Sequence, residues 1–350
     1  FYTIIFMKTN NLIKILTDFE QKIIEIDFDK LPISDYNKKY IANIKSAHCY
    51  YINIYAYVQS VMRSITLLNK DIIMVDYGGG CGFFSILAKM LGVHKVIYID
   101  RNPDSVKTVK EVSKVFGIGP DVIICGDSPD LVAWCQETQV KPHAVVGLDV
   151  IEHIYNLRHF FADISSLNQN LSLVFMTGSN PKNFWKCRKL RKEMDAYEKG
   201  NAATPNYYTK RLEFIKRTYP DMEKSKAHEY AAITRGMNYE DIQYFIQSNN
   251  YDGTGAATLT GYQDKHNTCD PETGNYMERI LPLKEYRYLL SGEEDGLCFI
   301  QVGFYNLFGK SKLKNLCAMI ANKLIRSIGA WGIRISPFII ITSIRYRLEE

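Results

Sequence analysis

The sequence predicts an α/β fold built on a mostly parallel twisted sheet with helices on both faces, and three observations carry that prediction. Between residues 71 and 178, short apolar runs alternate with segments of helical period, the pattern of strand, crossover helix and strand. The first run, "DIIMV", continues into "DYGGGCGFF", which places four glycines in five positions. Gly loses the most backbone freedom on ordering, so such a cluster implies a backbone conformation or a close approach that a side chain would block. Pro103 and Pro129 fall near proposed helix starts, where a missing N–H costs nothing.

In chain order, residues 1–70 read as a helical cover. Closely spaced aromatics over 36–67 ("YNKKYIANIKSAHCYYINIYAYVQSVM") recur at helical spacing and predict two helices packed on the first strands. The opening "FYTIIFMKTN" has no basic segment followed by a small-residue cleavage site, so it is not read as a signal peptide, and Met7 is the expected natural start. The core, 71–178, is predicted to hold strands at 72–77, 95–100, 121–125, 144–149 and 171–178. Its helices are "FFSILAKML", "PDSVKTVKEVSKVF", "PDLVAWCQET" and "NLRHFFADISSLN".

The alternation then breaks. Residues 179–282 are polar, basic and Tyr-rich, with helical pieces near 183–199, 206–218 and 239–248 and little sign of a core of their own, as expected of an insertion. From 283 to 350 the pattern resumes with the helix "PLKEYRYLL", the strand "LCFIQVGFYN", the basic helix "KSKLKNLCAMIANKLIRSIG" and a last strand "FIIITSIRY". That makes seven strands in one sheet.

Of the 350 residues, 46% are apolar, enough for a sizeable core, and 43 basic against 38 acidic side chains give a formal charge of only +5. Such a balance does not demand a polyanionic partner. Cations are nonetheless concentrated: twelve against six acids in 186–226, and eight against none in 296–348. Eight cysteines are scattered with no C-x-x-C pair, which excludes a zinc ribbon or a disulfide framework and fits reduced thiols in a cytoplasm. No apolar run approaches the length of a membrane span.

The glycine cluster separates three ligand chemistries. A P-loop needs a Lys after its last glycine, and none follows. The dinucleotide fingerprint started at Gly78 needs a small residue at 83, where Phe stands. The pattern acid-x-G-x-G-x-G fits as Asp76, Gly78, Gly80 and Gly82, with Gly79 between them. With "IYID" ending at Asp100 and "DVIEHI" after the fourth strand, the chain resembles the class I S-adenosylmethionine-dependent methyltransferases over residues 71–178.

That resemblance implies a Rossmann-like fold and S-adenosyl-L-methionine as cofactor. It places the ribose hydroxyls on Asp100 beside Arg101, the methionine end on the glycine loop and Asp76, and the adenine amino group on Asp127, with Ser128 sharing that role. The segment before the sheet and the long insertion with "NTCDPETGNYMERILPLKEY" look like bacterial methyltransferases associated with glycan or secondary-metabolite genes.

Methyl transfer from a sulfonium is an in-line displacement that mainly requires alignment, and a hydroxyl acceptor profits from a general base. Asp149, Glu152 and His153 follow the fourth strand, at the sheet edge where open α/β folds bind ligands. His153 is the first candidate base, oriented by Glu152 or Asp149; alternatively these residues only open and cap the next helix. The absence of Pro-Pro-aromatic after Asp149 argues against planar-nitrogen acceptors of the amide or nucleobase type. Ser179 and Asn180, after the fifth strand, and His266, in a polar lid, are candidate acceptor contacts. His266, Cys269, Asp270 and Glu272 include metal-ligating types, but their spacing matches no familiar site and no resident metal is expected.

The expected acceptor is a small molecule or glycan hydroxyl. Two alternatives stay open: an RNA methyltransferase using the aromatic and basic "YYTKRLEFIKRTY", and a non-catalytic module that kept cofactor binding. Nucleic acid is not the expected partner, since charge runs are usually solvated faces. The basic helix at 310–328, apolar at helical spacing, could instead lie on an anionic membrane surface.

Overall fold

The computed structural model describes residues 10–66, 71–201, 204–248, 264–291, 297–306 and 311–344. Three helices come first: α1 (Asn10–Glu25), α2 (Asp35–Ser46) and α3 (His48–Ile65). The core then alternates β1 (Ile73–Tyr77), α4 (Phe83–Met90), β2 (Lys95–Asp100), α5 (Pro103–Phe116), β3 (Val122–Cys125), α6 (Ser128–Thr138), β4 (Ala144–Leu148), α7 (Leu157–Ser166) and β5 (Ser172–Thr177). The next segment contributes α8 (Phe184–Lys199), α9 (Tyr207–Thr218), α10 (Lys224–Ile233), α11 (Tyr239–Ser248) and a small hairpin, β6 (Thr268–Cys269) with β7 (Tyr276–Glu278). Last come α12 (Leu283–Ser291), β8 (Leu297–Val302), α13 (Lys312–Ser327) and β9 (Ile339–Ile344).

Seven strands form one sheet in the order β3-β2-β1-β4-β5-β9-β8. β1 to β5 pair in parallel, and β9 runs antiparallel between β5 and β8. This is the order and sense expected of the class I methyltransferase fold. The strands are apolar almost throughout because both faces are covered. Met74, Val96, Val146, Val174 and Ile340 point to the side holding α1 to α4, while their neighbours Val75, Ile97, Val145, Leu173, Phe175 and Ile339 point to the side of α7 and α12.

Helix ends follow local chemistry. α5 starts at Asn102, whose side chain accepts from the Asp104 N–H, has Pro103 in its first turn, and stops at Gly117 in the left-handed conformation. Asn156, Asn183 and Asn206 cap α7, α8 and α9 in the same way.

The structure adds to the sequence expectation in two places. α1 precedes the two aromatic helices and buries Leu16, Phe19 and Ile23. The segment after β5 has an apolar cluster of its own, built around Leu212, Ile215, Ala231, Met237 and Ile242, where little sign of a core was expected. Its buried members come from three short helices, α9, α10 and α11, two positions from each, with Met237 between them, too few in any one window to read as a stripe. Fixing them is Arg211, fully buried, which pairs with Glu198 and donates to the Ala231 carbonyl at 3.0 Å.

Candidate functional site

The strand order reverses between β1 and β4, since the chain moves outward through β2 and β3 and then crosses back. A crevice at such a switch point is where open α/β sheets take ligands. Here a cavity of about 420 Å³ opens at the carboxyl ends of β1 to β4, and Gly78, Asp100, Asp127, His153, Tyr155 and Asn275 are among its lining.

The glycine loop forms its inner edge. Gly78, Gly80 and Gly82 have φ of 68°, 53° and 80°, in the left-handed region that disfavours a side chain. A Cβ at Gly78 would also stand 2.5 Å from Val150, and one at Gly82 would stand 2.2 Å from Val109. At Gly79 the obstacle is instead the Tyr98 ring, 2.6 Å from where a Cβ would stand. Phe83 does not intrude on the cavity, because it is buried against Phe19, Phe28 and Phe116.

Two acids hold the loop. Asp100 accepts from the Gly80 N–H at 2.9 Å and from the Asn102 N–H at 2.8 Å, and burial raises its carboxyl above the usual range. Asp76 lies beneath the loop, almost wholly buried, and accepts from the Ser85 hydroxyl at 2.6 Å. Burial, helped by the Asp100 charge and opposed by Ser85, pushes it up to about 7. The Tyr98 hydroxyl donates to the Gly80 carbonyl at 2.6 Å and closes the frame.

At the outer end, Asp127 caps α6, accepting from the Ser128 N–H at 2.9 Å and from the Tyr77 hydroxyl. The Ser128 hydroxyl turns away and donates to Asp163 on α7 at 2.7 Å. Arg101 reaches across the cavity to the Asn275 side-chain carbonyl, tying the β6–β7 hairpin to the end of β2.

Beyond β4 the structure gathers a group of carboxylates. Asp149 has a φ of 48°, uncommon for a residue with a side chain, and accepts from the Gly178 N–H at 3.0 Å. Although the residue keeps solvent contact, the crowding protein and the Glu278 carboxylate raise its carboxyl, while Lys186 and His153 oppose this. Glu152, about 1% exposed, accepts from the Thr177 hydroxyl at 2.7 Å, and among the described residues its other oxygen has no hydrogen-bond partner. Burial, then Asp149 and Glu278, push it well above the ordinary range.

His153 is held by β7. Its Nδ1 lies 3.0 Å from the Tyr276 carbonyl oxygen, which can only accept, so Nδ1 carries a proton and Nε2 is the nitrogen that holds the lone pair in the neutral imidazole. The Tyr276 N–H returns a bond to the His153 carbonyl at 3.1 Å.

Of the sequence candidates, the cavity thus unites Gly78, Asp100, Arg101, Asp127, Ser128 and His153 on one surface, with Gly79, Gly80, Gly82, Asp149 and Glu152 on the adjoining loops and Asp76 near the end of β1 beneath them. Three others are engaged elsewhere. Asn180 spends its amide on the Ile333 and Ser336 carbonyls and its oxygen on the Lys182 N–H. Ser179, fully buried, donates to Glu278. His266 pairs with Asp195 on α8 at 3.0 Å, outside the cavity lining.

Asp270 takes Lys210 at 2.9 Å, and the Cys269 thiol is buried. Among the described residues, the potential metal-ligand atoms that do converge are those of Glu20, His48 and Cys49, at the protein surface.

Sequence reasoning missed Glu278, Tyr276 and Asn275, which the hairpin delivers, and the tyrosines of α3. The Tyr50 and Tyr51 hydroxyls are raised by burial and then by the Asp149 charge. Their signal was the run of aromatics at 50–57, which served only as a packing pattern.

The strand order and glycine loop define an α/β protein of the class I methyltransferase fold. No protein-family model matches the chain, and no curated protein matches it. Among solved structures the chain is similar to "the plantazolicin methyltransferase BpumL in complex with SAH", at 11% identity and a TM-score of 0.40, covering 96% of this chain and 99% of that one. A second is an S-adenosylmethionine-dependent methyltransferase from Clostridium acetobutylicum, at 15% identity and a TM-score of 0.34, covering 43% and 60%. A third, MtNAS in complex with MTA and tNA, has 15% identity and a TM-score of 0.32 over 47% of this chain, which spans 54% of that protein's length. Among the described residues no helix is long and apolar enough to cross a membrane.

Proposed function

We propose that this chain transfers the methyl group of S-adenosyl-L-methionine to a hydroxyl of a small-molecule or glycan acceptor. One observation carries the reading: the glycine loop, Asp100, Asp127 and a His153 whose Nε2 lone pair is set by its Nδ1 partner all meet at one cavity. The cavity's volume is within the range of small-molecule and cofactor sites, and Gly78 lines it with bare backbone, side chains at Gly78, Gly79 and Gly82 being excluded by Val150, Tyr98 and Val109.

Asp100 would hold the ribose hydroxyls, with Arg101 beside it, and Asp127 the adenine amino group. The Ser128 hydroxyl, which donates to Asp163, would keep oxygen lone pairs to accept from the same amino group. The loop of Gly78, Gly79, Gly80 and Gly82, backed by Asp76 and Asp149, would take the methionine end. When bound, the cofactor supplies a methyl group already activated on a sulfonium. The chain's part is then alignment, exclusion of water by the hairpin and α3, and acceptance of the hydroxyl proton at His153 Nε2.

A second reading is favoured by the carboxylates Asp149 and Glu278, the charge of the second raising the carboxyl of the first, since such a pair would suit a cationic amine. The RNA reading loses part of its support, because Lys210 and Arg211 of α9 are engaged by Asp270 and Glu198.

Labelled-methyl transfer to hydroxyl-bearing sugars and nucleotide sugars, amines and RNA tests the proposal. His153→Ala should lower transfer by roughly 10²-fold or more and leave S-adenosylhomocysteine affinity in calorimetry unchanged. Undiminished transfer by the variant, or label found only in amines or in RNA, would refute hydroxyl transfer through His153.

A further inference from the structure

α13 carries two opposed apolar faces. Ala318, Asn322 and Ile325 are buried against the rest of the protein. On the opposite side of the helix, Leu313, Leu316, Ile320, Leu324 and Ile328 recur at spacings of three and four and form a continuous stripe. They are between 41% and 73% exposed, so nothing among the described residues covers them. Trp331, 62% exposed, extends the stripe just beyond the helix, with the Arg334 guanidinium 4.1 Å from its ring centroid.

Cations border this stripe. Lys312 and Lys323 lie along one margin and Lys314 along the other, all exposed, and no acidic residue occurs anywhere in 297–348. A contiguous exposed apolar patch marks an interaction surface, and the charge at its margins says which kind. A second copy of this chain would bring the same cations against one another. A nucleic acid would meet aliphatic side chains where bases need aromatic platforms. An anionic bilayer satisfies both elements, accepting the leucine and isoleucine side chains below its headgroups and the lysines among its phosphates, with Trp331 at the interface.

We propose that α13 is a monotopic membrane anchor that lays the protein on a surface of anionic phospholipid. It lies in the plane of the interface rather than across it. Beside it, a cleft of about 450 Å³ lined by Tyr305, Leu313, Cys317 and Ala321 gives the hydrocarbon a further apolar contact. The inference does not depend on the reaction the core performs.

Co-sedimentation of the full chain with vesicles of phosphatidylcholine, alone or with about one third phosphatidylserine, tests it. The anionic vesicles should bind at least roughly tenfold more protein, because each exposed cation strengthens binding severalfold, and binding should fall at high salt. The pair Leu316→Asp and Ile320→Asp should abolish binding, and Lys312→Glu with Lys323→Glu should erase the preference for anionic lipid. These positions are exposed, so the melting curves of all variants should match the parent. Equal binding to both vesicle types, no binding to either, or a dimer in sedimentation velocity that Leu316→Asp dissolves would overturn the proposal.

Discussion

Replacing Asp76 by Asn should change how stability depends on pH more than how large it is at any one pH. The Asp76 carboxyl sits beneath the glycine loop with the Ser85 hydroxyl as its one side-chain partner, and burial raises it from 3.8 to about 7. The folded protein therefore holds this proton up to near neutrality, whereas the unfolded chain releases it near pH 4. Between those values the unfolded state binds fewer protons, so the residue's contribution is fully present below pH 4 and is lost as pH rises to 7.

At 1.36 kcal/mol for each pH unit of difference, the loss approaches about 4 kcal/mol across the window. Asp76→Asn is neutral throughout and should not suffer it. Urea unfolding of parent and variant from pH 4.5 to 8 measures the difference, and subtraction cancels the other raised carboxyls, Asp149 and Glu152 among them. The variant should gain on the parent steadily with rising pH and level off above 7. A difference that stays flat, or moves the other way, would mean that Asp76 titrates as an ordinary acid and that the cavity floor is wet.

Other consequences are more local. Gly82→Ala places a side chain at a φ of 80° and 2.2 Å from Val109, and should lower the thermal midpoint by several degrees, on the order of 1–3 kcal/mol. Full stability in that variant would show a looser loop. Arg211→Met leaves Glu198 buried without its main counter-charge, with the Thr268 hydroxyl at 2.7 Å as a remaining donor, and should cost about 3–5 kcal/mol in chemical denaturation. A loss below ~1 kcal/mol would place the pair in solvent.

The core was legible because it rests on local signals. Strand–helix alternation is read in windows of a few residues, and Asn102 with Pro103 and Gly117 mark both ends of α5 in the sequence itself. The glycine loop was legible for the same reason, since the demand for positive φ at Gly78, Gly80 and Gly82 is written in residue type. What could not be read depends on distant chain meeting the site. Glu278 and the Tyr276 carbonyl reach Asp149 and His153 only because the β6–β7 hairpin folds back over the end of β4, more than a hundred residues later. Asn180 and His266 show the converse: their residue types suit a binding site, and in the fold the C-terminal segment engages one and α8 the other. Asp195, which takes His266, lies 71 residues away in sequence, beyond any local pattern.

The most direct test of the central claim is calorimetric titration of S-adenosylhomocysteine into the parent and Asp100→Ala. The account predicts one site in the parent and binding weaker by roughly a hundredfold in the variant, the loss expected when two hydrogen bonds to a charged group disappear. Unchanged affinity in a variant that still melts cooperatively, or no binding by the parent, would contradict it.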